Sequence, residues 1–412
     1  MSLIQPFPAL RPAKNRASEV IAPPYDVLST AEARVRAQGK PYSFLHISKP
    51  EIDLPENINP YAPEVYTKAA ENLKAMISAG VLTQDEAAYY YVYRIKMGEH
   101  VQTGIVAAAS VADYDTNRIR KHEFTRPDKE DDRVRQIDAT NAQTGPVLLA
   151  YPNTPEVDAI LAKTAQGTPD ADAVADDDVR HTLWVMRDAT DIARITALFD
   201  AMHAIYIADG HHRSASASRI CASRKAANPH HTGEEAYNSF LSVIFPAHEM
   251  KILDYNRVIT DLNGLTVESF LDKVKNSFNV EPATEAIKPA QQGQFGLYLA
   301  GLWHRLSIKP DLIPQNDPVA RLDVSLLQNN LIAPILGIID PRRDKRIDFV
   351  GGIRGLKELE KRVNSGEMAL AFSLHPTRME DLMAVADANE VMPPKSTWFE
   401  PKLADGMASH LL

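Results

Sequence analysis

Residues His203 to Ala217 read HAIYIADGHHRSASA, and the change of character halfway along decides the fold expected of the chain. Ala204 to Ala208 is a short apolar run with β-branched and aromatic members, which suits a buried strand. Asp209 and Gly210 supply a turn. Ser214 to Ala227 is rich in Ala, Ser, Arg and Lys, with Ala217, Ile220 and Cys221 on one helical face. Strand, tight turn, helix is the expected order. Such a junction leaves backbone N–H groups unpaired at the positive end of a helix dipole, where an anion fits. Gly210 lets a phosphate come close, the 210–214 backbone including Ser214 offers N–H groups, and His211, His212 and Arg213 add donors. Asp209 brings a carboxylate able to hold Mg2+ or to accept a proton. A polar loop whose histidines merely cap a helix fits the same residues.

Composition sets the frame around this turn. The 412 residues are enough for about two to three domains of ~150 residues, and 44% hydrophobic with 24% charged residues is a globular balance. No apolar window approaches the ~18 residues a membrane span needs, and Met1 to Leu10 lacks a basic segment followed by an apolar one. A soluble, cytoplasmic protein without a membrane partner is expected. The single cysteine, Cys221, forms no internal disulfide, no zinc-type Cys/His spacing exists, and the thiol is expected on the inner face of the helix. A net charge of −9 opposes general attraction to nucleic acid.

Further segments carry chemistry. Ala22-Pro23-Pro24-Tyr25-Asp26-Val27 holds Tyr25 and Asp26 on a proline-stiffened loop, and Ser29 or Thr30 caps a short helix with Glu32 in its first turn. Tyr42 to Ile47 reads as a strand. Val65, Ala69, Leu73, Met76 and Ile77 give Pro63–Ala79 an amphipathic face. Tyr89–Lys96 and Gln102–Val111 form a hairpin around Gly98. His122 and Glu123 are expected on a strand that enters a helix starting at Pro127, on which Lys129, Asp132, Arg133 and Gln136 share a face. Cationic clamps beside a carboxylate are what phosphoryl transfer requires, while a charged helical face is equally well a solvated one. Met392 to Lys402, MPPKSTWFEPK, is a second proline-stiffened segment. Its Lys395-Ser396-Thr397 lacks the Gly-x4-Gly of a Walker loop.

Five of these motifs in this order carry a resemblance: APPYDV (22–27), KHEFT (121–125), KEDDR (129–133), IADGHHR (207–213) and MPPKSTWF (392–399). The chain resembles the domain-of-unknown-function 1015 family over essentially its full length. At the histidine turn it is similar to the ParB/sulfiredoxin-like superfamily, whose turn cradles nucleotide phosphates. Sulfiredoxins hold their reactive cysteine where this chain has His211, so the free serine kinases are the nearer analogue. The resemblance implies an α+β fold of mixed sheets with a ParB/sulfiredoxin-like core and additional α/β elements. The regions expected are 1–162 with the first three motifs, an acidic surface excursion or linker at 163–180, and 181–412 with the last two. It implies phosphoryl transfer to or from a small hydroxyl metabolite such as serine or phosphoserine, with ATP or ADP and Mg2+ as cofactors and a homodimer as one assembly.

In that scheme His212, Arg213, Gly210, Ser214, His122, Lys129, Arg133 and Lys395 hold phosphate or neutralise its charge. Asp209 positions Mg2+, His211 joins it in the chemistry, and Glu123 or Asp26 activates the hydroxyl. The rival from another class is a nonenzymatic, nucleotide-responsive binding module of the ParB kind, although no helix-turn-helix or basic stripe is evident. A His-ligated metal hydrolase using His122, His211 and His212 lacks ligand spacing.

Overall fold

The computed structural model describes residues 2–412, which divide into two compact units, 2–250 with 401–412 and 251–400. Both are mixed α+β. The first holds a nine-stranded sheet of β1 (Ile4–Gln5), β2 (Tyr90–Met97), β3 (His100–Ser110), β4 (Ile119–Arg120), β5 (Val147–Tyr151), β6 (Ala171–Val174), β7 (Arg180–Met186), β8 (Ile205–Asp209) and β9 (Ser239–Pro246). The order is β4-β8-β5-β9-β3-β2-β7-β6, with β1 beside β3. The β8/β4 and β9/β5 pairs are parallel and the remaining pairs antiparallel.

The helices that position the site are α1 (Pro63–Ser78), α2 (Pro127–Thr140), α3 (Ala189–Asp200) and α4 (His211–Ala227). Burying apolar strand residues against helices is the main stabilising term. Leu149, Ile205 and Ile207 of the sheet join Ile195 and Phe199 of α3 and Ala217 of α4 in one core, with Cys221 packed at its edge. A second core gathers Val20, Phe44, Leu45, Ile47, Leu73 and Met76.

Several expectations change on folding. Tyr42 to Ile47 is not a strand: Leu45–Ser48 is a helical turn, because a short apolar run fits either state and burial in the second core decides it. On α1 Tyr66 is buried instead of Ile77, which is 40% exposed. The stretch 163–180 supplies edge strand β6, paired with β7 from Arg180 to Leu183. The Gly98 hairpin, the Ser29/Glu32 capping box and the helix start at Pro127 match the sequence reading.

The second unit holds a six-stranded antiparallel sheet of β10 (Tyr255–Ile259), β11 (Phe278–Ala283), β12 (Gln294–Leu299), β13 (Leu302–Ile308), β14 (Ile347–Gly351) and β15 (Leu370–Leu374). Its order is β11-β13-β12-β15-β10-β14. The strand Trp398–Glu400 pairs with Lys251–Leu253.

Candidate functional site

The end of β8 is irregular in a way that shapes the turn. Ile207 pairs with Leu149 of β5 and Asp209 with Leu148, so Ala208 is the extra residue of a bulge. A bulge re-aims the side chains that follow it. Gly210 then takes φ +101 as the residue before α4, and no side chain among the described residues caps the helix. The orphan N–H groups of the first turn and the dipole make this end of the 17-residue helix electropositive. A Cβ at Gly210 would lie 3.1 Å from Arg213 Nε and 3.3 Å from Val147 Cα, so the position has neither the dihedral nor the room for another residue.

Charge gathers around the carboxylate that precedes the turn. Asp209 lies 3.5 Å from Lys402 Nζ and 3.8 Å from Arg213 Nη2. Burial pushes its pKa up, and the two cations outweigh that and hold it below the usual value. Arg213 Nη2 also stands 3.9 Å from Asp26, and its Nη1 donates to the Pro146 carbonyl. Arg213 is thus a hub that ties the PPYDV loop to the turn. Behind it lies a cavity of about 30 Å3, room for water, lined in part by Tyr25, Arg133, Gln143, Arg213 and Asp405. Arg133 pairs with Asp132 at 2.7 Å and lies 3.9 Å over the Tyr25 ring. Burial drives the Asp405 carboxyl up to about 7, against the pull of Arg213, and one of its oxygens has no hydrogen-bond partner among the described residues.

The histidines separate by environment. His211 is 3% exposed; burial first, then repulsion from His122, His212 and Arg213 against a further positive charge, holds it well below its usual pKa, so it is neutral. Its Nε2 accepts from the His122 backbone N–H at 3.4 Å, and its Nδ1 lies 3.5 Å from Glu123. The accepting Nε2 assigns the proton to Nδ1, facing the carboxylate. His122 meets His211 edge to face at 4.5 Å, and burial lowers its pKa to about 4. His212 accepts from the Arg126 N–H at 3.1 Å.

The fold brings His122, Glu123, Asp26, Arg213 and the turn together, and Arg133 borders the cavity behind them. His122 and Glu123 lie beyond the two-residue strand β4, in a loop and not on a strand. Lys129 binds the Tyr61 hydroxyl at 2.8 Å. Ser214 is fully buried, its hydroxyl donates to the His211 carbonyl and its N–H to Gly210 O, so the expected phosphate donor is already committed. Lys395 belongs to the second unit, beside Tyr255. Lys402 closes the second proline-stiffened segment but had no role assigned there, and Asp405 had no sequence signal; both come from the C-terminal segment that returns to the first unit.

Asp209, expected to position Mg2+, lies between two cations. Among the described residues no group of three His, Cys, Asp or Glu side chains is placed to hold a metal ion.

The sheets and helices define an α+β protein with a strand–turn–helix at residues 205–227. The chain belongs to the family described as "Protein of unknown function (DUF1015)", whose family model matches residues 4–325 and so ends before the MPPKSTWF motif. No curated protein matches the chain. Among solved structures it is similar to a free serine kinase in complex with AMP, at 13% identity over 72% of this chain and 86% of that one, with a TM-score of 0.35. A conserved hypothetical protein from Pyrococcus furiosus is similar at 15% identity, over 75% and 96%, with a TM-score of 0.35. C-terminally truncated SbnI from Staphylococcus aureus is similar at 12%, over 73% and 85%, with a TM-score of 0.30. Among the described residues no helix is long and apolar enough to cross a membrane.

Proposed function

We propose that the first unit binds a nucleotide, ATP or ADP, or another phosphometabolite at the Gly210–Arg213 turn and moves a phosphoryl group to or from a small hydroxyl compound of the serine/phosphoserine kind. The ParB/sulfiredoxin-like character of this core is part of the same proposal. The observation that carries it is the uncapped start of α4 directly after a carboxylate held between two cations. In this reading the N–H groups of residues 211–213 and the protonated nitrogen of His212 hold phosphate oxygens. Lys402 and Arg213 supply the positive charge that a phosphoryl transfer state needs. Glu123, 57% exposed and steadied by neutral His211, takes the hydroxyl proton as the new O–P bond forms and the bond to the leaving oxygen breaks. Asp26 is the alternative base. No step is routed through a metal.

The test follows phosphate between serine and a nucleotide or pyrophosphate in both directions. Glu123→Gln is expected to lower turnover by about 10²-fold or more with affinity largely kept, and Lys402→Ala to weaken both. Equal turnover in wild type and both variants sinks the assignment. A second reading, a nucleotide-responsive switch, is favoured by the ion pairs of Arg213 with Asp26 and Asp209, which an arriving phosphate would rearrange. Saturable nucleotide binding without turnover in either direction would put that reading first.

A further inference from the structure

The second unit contains a buried arginine with no acidic partner among the described residues. Tyr255 and Arg257 are two residues apart on β10, so both side chains leave one face of the sheet. Arg257 pairs in the ladder with Phe349 of β14, and its guanidinium lies 5.4 Å from that ring. It is 4% exposed, and burial drives its pKa down to about 10, with Tyr255 the neighbour that offsets this. Two of its five N–H groups meet carbonyl oxygens, those of Tyr255 and, at 3.0 Å, Lys395. Buried charges are ordinarily paired with an opposite charge, and this one is not.

A second cation stands beside it. Lys395 is exposed and places Nζ 5.7 Å from the centroid of the Tyr255 ring. Its backbone has φ +58, a conformation that lysine seldom adopts without support from its surroundings. Here Ser396 Oγ donates to Pro393 O at 2.6 Å and Thr377 Oγ1 to Ser396 O at 2.8 Å, fixing the loop. Trp398 stands edge-on to Tyr255 at 5.2 Å, and a Cβ at Gly351 would fall 2.8 Å from the Trp398 ring. The glycine therefore lets Trp398 settle against β14. Two cations without carboxylate partners among the described residues thus share one aromatic cluster.

We propose that this face of the second unit binds a small oxyanion, a phosphate or carboxylate group, held by the Arg257 guanidinium and the Lys395 ammonium. A guanidinium fork suits either group, and an ammonium adds a point charge. Bonding to carbonyls alone would account for Arg257 as a clamp on the 395 loop, but not for a buried guanidinium without a counter-charge. The proposal does not rest on phosphoryl transfer at the first unit.

Hydrogen exchange on the full chain reads the two units separately. Inorganic phosphate and succinate are titrated in parallel, following amides in 254–258 and 391–400. Saturable protection there by either anion is expected, with phosphate alone or succinate alone identifying the preferred group. Lys395→Ala should raise the half-saturating concentration about tenfold or more, and Arg257→Lys, which keeps the charge but loses the fork, should do likewise. No saturable protection by either anion, or unchanged half-saturation in Lys395→Ala, overturns the proposal. Protection at 209–214 reports the first unit's turn and has no bearing on this outcome.

Discussion

Gly210 and Asp405 show what single residues contribute to the turn. Gly210→Ala must hold an alanine at φ +101 with its Cβ 3.3 Å from Val147 Cα. Strain of this kind costs ~1–3 kcal/mol, so the urea midpoint should fall with an unchanged m value, and nucleotide affinity should fall with it. Asp405 works through pH. Its folded pKa of about 7 lies above the unfolded value, so the native state holds an extra proton between about pH 4 and 7. Stability from this group is therefore fully present at low pH and is lost as pH rises through 7, by an amount on the order of a few kcal/mol. Asp405→Asn should remove that loss, which unfolding curves at pH 5 and pH 8 would check. Equal pH dependence in the two proteins would mean that the carboxyl titrates normally. Nothing around Asp405 in the sequence announces this; its pKa comes from burial beside Arg213.

Among the elements, the strand, turn and helix of 203–217 follow from local pattern, whereas the bulge at Ala208 does not. A bulge depends on the register with β5, which is set by distant residues. Close approach between strands is also a tertiary matter. Gly104 of β3 would, with a Cβ, meet Ile244 O and, at 2.7 Å, the Phe245 ring. Gly104→Ala should thus force β9 to shift and destabilise the protein by ~1–3 kcal/mol, read from the urea midpoint. A change within a few tenths of a kcal/mol would show that the strands yield easily. Caps, by contrast, are local. Asp188 accepts from the N–H groups of Thr190 and Asp191 at the start of α3, and Asp188→Ala should cost ~1 kcal/mol by the same measurement.

For the whole molecule, buried imidazoles dominate the acid limb of the first unit. Burial lowers His122, His181 and His410 each to about 4. Each folded pKa lies below the unfolded value near 6.5, so the unfolded chain binds more protons between these limits. Stability is fully present above about pH 6.5 and is lost as pH falls through 4, by several kcal/mol in sum. His211, also held well below its usual pKa, adds to this, and the Asp405 slope opposes it. In the second unit, burial raises the Asp323 carboxyl to about 7, which gives that unit a slope of the opposite sign. Hydrogen exchange at pH 4.5 and 7 should therefore show the first unit loosening in acid more than the second. Equal loosening of both would contradict the assignment.

The chain alone carries the local grammar: the hairpin at Gly98, the capping box at Ser29, the helix start at Pro127 and the turn at Gly210. Each depends on residues within a few positions of one another, where propensity and turn chemistry act. Family membership was equally legible, because ordered motifs survive without any knowledge of distance. Folding settled which of those motifs meet. It put Asp26 and Asp209 on either side of Arg213, returned Lys402 and Asp405 to the first unit, and committed Ser214 to the core. It also turned Leu45–Ser48 helical. The reason is physical: charge pairing and burial are properties of position in space. Asp26 and Arg213 stand far apart along the chain, so no local pattern of residues records that their charges face each other.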